Sequence, residues 1–215
     1  MVIRGIIAHA ALLLLGATAL GAQATATWEL GSEVMQSLSP SRPNAVFGGQ
    51  ASDIGESALS LRASTTLVRL GPVRLRYAAQ LLPVIRLSAV EQYGTLATSV
   101  STFYVITGRA PAWGIGLVPL GLDLDTRLGR RVHLGVGVGV GIAGFSRHVP
   151  VAASRRRAFT AEWGTRLRVD LDHGRALLLG LRWKHTSNGL TAWENPGLDS
   201  RMLSAGFSWT VRAPR

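Results

Sequence analysis

The stretch Arg131-Val132-His133-Leu134-Gly135-Val136-Gly137-Val138-Gly139-Val140-Gly141-Ile142-Ala143 alternates a branched aliphatic residue with a glycine almost without exception. Side chains on a strand point to opposite faces in turn. Val132, Leu134, Val136, Val138, Val140 and Ile142 therefore share one apolar face, and the reverse face carries His133 and four glycines. A helix is excluded on two grounds: the period is two rather than 3.6, and glycine is costly in helix interiors.

The pattern repeats on both sides. From Phe159 to Leu171, Phe159, Ala161, Trp163, Leu167, Val169 and Leu171 oppose Thr160, Glu162, Arg166, Arg168 and Asp170. Toward the amino terminus, Trp28, Leu30 and Val34 oppose Glu29 and Glu33, and Leu59, Leu61, Ala63 and Leu67 oppose Arg62, Ser64 and Thr66. Val73, Leu75, Tyr77, Leu81, Ile85 and Leu87 oppose Arg74, Arg76, Gln80 and Arg86. Val118, Leu120, Leu122 and Leu124 oppose Asp123, Asp125 and Arg127. Segments from Arg175 to Ser187 and from Met202 to Arg212 complete a set of eight, with lengths suited to tilted strands crossing hydrocarbon.

Composition agrees with this reading. The chain has 215 residues, 47% of them hydrophobic and 16% charged, with 25 glycines, one lysine and no cysteine. Disulfide scaffolds and thiolate metal sites are excluded, and a disordered chain is disfavoured. Residues 1–24 have the form of an export signal: Arg4, an apolar run through Leu12 to Leu15, and Ala22-Gln23-Ala24 as the cleavage site. The mature barrel domain is expected over residues 25–215. No later apolar run approaches the ~18 residues of a spanning helix.

A soluble sandwich or lipocalin-like barrel alternates in the same way. Two features favour an all-β, eight-stranded antiparallel transmembrane β-barrel instead. The polar faces carry both signs of charge, as a closed lumen requires for pairing. The connections also alternate in length: Gly71-Pro72, Gly129-Arg130 and Asp172-His173-Gly174 are tight, whereas Ser37 to Ser57, Ser88 to Trp113, Ser146 to Ala158 and Asn188 to Arg201 are long. Outer-membrane barrels have short periplasmic turns and longer outer loops, which puts both termini in the periplasm.

Parity along the seventh strand has a chemical consequence. Leu177, Leu179, Leu181 and Trp183 face lipid, so His185 and Ser187 face lipid as well, beside a tryptophan of the interfacial girdle. This strand ascends, which places the pair at the outer leaflet. Same-face neighbours lie ~7 Å apart along the backbone, within reach of an imidazole taking the proton of a seryl hydroxyl. Two girdle residues hydrogen-bonded to headgroups would share the pattern.

His185-Thr186-Ser187-Asn188-Gly189-Leu190, followed by Asn195-Pro196-Gly197-Leu198-Asp199-Ser200, resembles the lipid A 3-O-deacylase (PagL) family of outer-membrane proteins. The resemblance implies His185 as base, Ser187 as nucleophile, and Asn188 and Asn195 at the oxyanion site. The family's acid is a glutamate, and Asp199 stands at the aligned position; Glu194, in the same loop, is the alternative acid. It also implies a serine esterase that needs no cofactor and acts on lipid A, the lipopolysaccharide anchor of the outer leaflet.

No metal is expected, because His133, His148 and His173 lie on different segments without ligand spacing. Nucleic acid is disfavoured as a partner despite the formal charge of +11, since much of the arginine lies on lumen faces. Arg147, His148, Arg155, Arg156 and Arg157 cluster in one outer loop, either as a solvated loop or as a grip on lipid A phosphates. Two further functions fit the barrel: a non-catalytic envelope or ligand-binding role, and an acyltransferase.

Overall fold

A computed structural model describes residues 27–43, 49–97, 102–192 and 194–212. The expected export signal over residues 1–24 lies outside them. Eight strands close into one antiparallel barrel: β1 (Thr27–Ser37), β2 (Glu56–Leu70), β3 (Val73–Ala97), β4 (Thr102–Arg127), β5 (Val132–Val149), β6 (Arg155–Asp170), β7 (Arg175–Ser187) and β8 (Leu198–Arg212). Each strand pairs with its successor, and β8 returns to β1 along eleven residue pairs from Thr27–Arg212 to Ser37–Met202. Closure leaves the barrel wall without an open edge.

The apolar faces point outward. Val34, Leu61, Leu122, Val138, Leu179 and Phe207 are each between 42% and 64% exposed. A soluble barrel would bury one apolar face of every strand, whereas a belt of this kind is buried only by hydrocarbon. The barrel therefore spans a membrane.

The interior has two zones. In the half that bears the tight turns and the chain ends, carboxylates and guanidinium groups interlock: Arg76 Nη2–H donates to Glu29 at 2.9 Å, Arg182 to Glu33 at 2.6 Å and Arg166 to Asp123 at 3.2 Å, and Arg62 also pairs with Asp123. Arg168 bonds both Glu29 and Asp170. His133 Nε2 contacts Asp170 at 3.0 Å and its Nδ1 contacts Arg74 at 3.0 Å. The bare face of β5 makes room for these side chains, since a Cβ on Gly137 would collide with the Asp123 carboxylate. Toward the outer rim the lumen turns apolar, filled by Met35, Ile54, Ile85, Leu87, Phe145 and Met202. Ile54 belongs to the first loop, which folds back through bonds such as Ile54 N–H to Ser41 Oγ at 3.1 Å.

The structure corrects the expected faces at two places. Ile85 and Leu87 point into the lumen, and Arg86 lies outside over its cross-strand partner Trp113, 5.8 Å from the ring centroid. Val118 also points inward. The register shifts between Leu82 and Ile85 and between Leu117 and Leu120, at Pro83 and Pro119. Proline cannot donate to the ladder and settles at bulges, and one inserted residue exchanges inside for outside. Tyr77 Oη–H donates to the Pro119 carbonyl at 2.6 Å.

The connections also differ from expectation. Most of the long segment between Ser88 and Trp113 is strand, so β3 and β4 run for 25 and 26 residues. That is ~80 Å of strand against a hydrocarbon core of ~30 Å. The outer part forms a two-stranded ribbon: β2 pairs β3 only as far as Leu87, and β5 pairs β4 only from Gly114.

Glu33 and Arg182 are 1% and 5% exposed, so removing one partner strands a buried charge. Arg182→Met is expected to lower unfolding free energy by about 3–5 kcal/mol. Arg131→Met, at the exposed Arg131–Asp172 pair, is expected to cost less than about 1 kcal/mol. Urea unfolding in lipid vesicles measures both.

Candidate active site

Register sets the geometry of the site. His185 of β7 and Asp199 of β8 are direct cross-strand partners, and both face outward at the outer end of the barrel. His185 Nδ1–H donates to Asp199 Oδ1 at 2.6 Å. A carboxylate only accepts, so Nδ1 carries the hydrogen and Nε2 is the basic nitrogen of the ring. Ser187 follows two residues on along the same face, opposite Phe159 of β6. Below the pair, Trp183 stacks on Trp163 with ring centroids 4.5 Å apart and planes 6° from parallel. Indole pairs of this kind mark the membrane interface.

The first loop braces the carboxylate from the far side. Gly49 N–H donates to Asp199 Oδ2 at 3.2 Å. Beside it, Gln50 N–H donates to the Pro196 carbonyl and Ala51 N–H to the Gly197 carbonyl at 3.0 Å. The approach is close enough that a Cβ on Gly49 would sit 2.5 Å from Asp199 Cγ. Gly197 has φ +64° and lies against the imidazole, where a Cβ would stand 2.7 Å from His185 Cε1. Glycine meets both demands, a left-handed backbone and a missing side chain. On the lumen side of the same strand pair, Lys184 and Ser200 are partners and both bind Glu56 of β2, the hydroxyl at 2.8 Å.

The loop after Ser187 is organised by a buried asparagine. Asn188 Nδ2–H donates to Ser154 Oγ at 2.7 Å and to the Glu194 carbonyl at 2.6 Å. Its backbone N–H donates to Asn195 Oδ1 at 2.9 Å, which fixes the Asn195 amide. The Asn188 carbonyl accepts from Thr191 Oγ1 at 2.7 Å. Glu194 itself is exposed. The structure thus brings His185 and Asp199 into contact, places Ser187 two residues further along the same strand face, and joins Asn188 to Asn195 in the adjoining loop.

Next to Phe159 an apolar groove of about 820 Å³ runs over the outer face of β4, β5 and β6. Ile115, Leu117, Ile142 and Phe159 line it, with Arg156 and Arg157 above. Phe159 ties the groove to the serine, because the two are cross-strand partners.

The lipid A 3-O-deacylase (PagL) family matches residues 74–208, more than half of the chain. The chain belongs to the PagL family. The matched region runs from β3 into β8 and takes in every residue of the His185–Asp199 segment. Among solved structures, the outer-membrane enzyme PagL is 15% identical, with a TM-score of 0.49 over 82% of this chain and 97% of that one. Neisserial surface protein A is 12% identical, with a TM-score of 0.44 over 86% of this chain and 97% of its own. Ail of Yersinia pestis is 11% identical, with a TM-score of 0.40 over 86% of this chain and all of its own. No curated protein matches the chain. Membership of the family places the barrel in the outer membrane.

Sequence reasoning missed Gly49, Gly197, Ser154 and the apolar groove. Only the Gly48-Gly49 doublet hinted at a close backbone approach in the first loop. Gly49→Ala is expected to push the Asp199 carboxylate off the imidazole. The check is the downfield proton resonance of His185 Nδ1–H, which should shift or disappear while a heat-modifiable gel band shows the barrel still closed.

Proposed function

We propose that this PagL-family barrel is a serine esterase that removes an ester-linked acyl chain from lipid A in the outer leaflet. The observation that carries the reading is the outward-facing His185, tied through Nδ1 to Asp199 at 2.6 Å, on the same strand face as Ser187 at the girdle. Family membership supports lipid A as the substrate class.

In this reading Ser187 Oγ attacks the ester carbonyl carbon as His185 Nε2 takes its proton. Asp199 holds the ring and stabilises the imidazolium that forms. The tetrahedral intermediate collapses when the sugar oxygen leaves with the proton from His185, and Ser187 remains acylated. Water, deprotonated by the same nitrogen, then attacks the acyl-enzyme and releases the fatty acid. The oxyanion needs fixed donors. We assign one to the Asn195 side-chain amide, whose orientation is set by the bond from Asn188 N–H to its oxygen. Asn188 serves that site by positioning, since its own Nδ2 bonds Ser154 and the Glu194 carbonyl. The acyl chain lies in the groove beside Phe159, and no step asks for a metal or cofactor.

A shorter acid than the family's glutamate works here because Asp199 stands directly across the strand pair from the imidazole. Gly49 supports its second oxygen.

Ser187→Ala is expected to reduce fatty-acid release from lipopolysaccharide micelles by more than about a thousandfold. Asp199→Asn is expected to lose roughly 10⁴-fold, because an amide favours the wrong imidazole tautomer. Glu194→Gln should stay close to the parent rate. Fatty-acid release by Ser187→Ala at the parent's rate overturns the mechanism, and mass spectrometry of the lipid products separates hydrolysis from acyl transfer.

A further inference from the structure

The outer end of β6 carries three consecutive arginines, and their surroundings differ sharply from those of the lumen arginines. Inside the barrel Arg62, Arg74, Arg76, Arg166, Arg168 and Arg182 each bond a carboxylate. Among the described residues, Arg155, Arg156 and Arg157 form no ion pair. Arg155 is used structurally, its Nε–H donating to the Thr191 carbonyl at 3.1 Å and so tying β6 to the loop after Ser187. Arg156 and Arg157 are exposed and border the apolar groove together with His148, Arg157 on the outward face that carries Phe159. An apolar floor beneath two unneutralised guanidinium groups matches an anionic amphiphile, with its chain below and its charge above.

Register gives the distance from this charge to the serine. Phe159 pairs with Ser187, and Arg157 precedes Phe159 by two residues on the same outward face. Diagonal neighbours of this kind lie ~7–8 Å apart at the backbone. An anion on the flexible Arg157 side chain therefore sits within about one sugar ring of an ester carbonyl at Ser187 Oγ.

We propose that Arg156 and Arg157 form a phosphate-reading subsite that selects a phosphorylated glycolipid, its phosphate on the saccharide unit bearing the scissile ester or on the next one. The proposal deepens the esterase reading and rests on it for the position of the ester. The occupant is the phosphorylated saccharide of lipid A rather than a glycerophospholipid. Planar guanidinium forks take phosphate oxygens bidentately, and this contact exists before and during the reaction. Such uniform binding acts on KM and leaves kcat nearly unchanged.

The test uses the full barrel in nanodiscs or detergent with three probes: lipid A, the same lipid A after enzymatic dephosphorylation, and phosphatidylglycerol vesicles. Binding is measured on the Ser187→Ala protein, so that it does not depend on turnover. Arg156→Gln/Arg157→Gln is expected to weaken binding of phosphorylated lipid A about tenfold or more and to leave the dephosphorylated lipid unaffected. Arg156→Lys/Arg157→Lys should restore part of the loss. In the parent enzyme the glutamine pair should raise KM with little change in kcat. A heat-modifiable gel band confirms that each variant is closed.

Equal binding of phosphorylated and dephosphorylated lipid A by the parent overturns the subsite, as does a double variant that discriminates like the parent. Arginine-dependent binding of phosphatidylglycerol vesicles as tight as that of lipid A also overturns it, since the arginines would then read any lipid phosphate. The two readings fail separately. Hydrolysis without phosphate preference removes the subsite and keeps the esterase; arginine-dependent binding without hydrolysis does the reverse.

Discussion

A charged side chain in the wall of a membrane barrel has one affordable direction, and what points inward must be neutralised there. Everything else in this molecule follows from that constraint. Glu29, Glu33, Asp123, Asp125 and Asp170 meet Arg62, Arg74, Arg76, Arg166, Arg168 and Arg182 inside the lumen. Taking such ions from water costs several kcal/mol each unless geometry and hydrogen bonds repay it. The network therefore works as a register lock: slipping a strand that carries these charges by one residue would carry them into hydrocarbon.

Most of this was legible from alternation alone. Strand number, order and turn positions follow from where period two begins and stops, and the loops alternate as a barrel crossing a membrane demands. Alternation failed where one residue breaks it. Pro83 and Pro119 sit inside strands, and each inserts a bulge that sends Ile85, Leu87 and Val118 inward. The ribbon of β3 and β4 is not legible from hydrocarbon thickness, which limits only the part of a strand within the bilayer.

The site was legible in part, for a different reason. His185, Ser187 and Asp199 fall within fifteen residues, and strand parity plus a tight β7–β8 pairing brings two of them into contact. Gly49 could not be found that way. It lies 150 residues from the carboxylate it supports, and its contribution is a backbone N–H plus the absence of a side chain. Nothing local marks such a residue; only closure of the ring shows what it touches.

That closure has a temporal consequence. Gly49 belongs to the loop that follows the first strand and Asp199 to the last strand, so they meet across the seam that is zipped when the two ends of the sheet join. A β7–β8 hairpin can bring His185 and Asp199 together by itself, but the Gly49 N–H reaches the carboxylate only once β1 has joined β8. Under the proposed function, the acid therefore gains its second support only when the barrel closes.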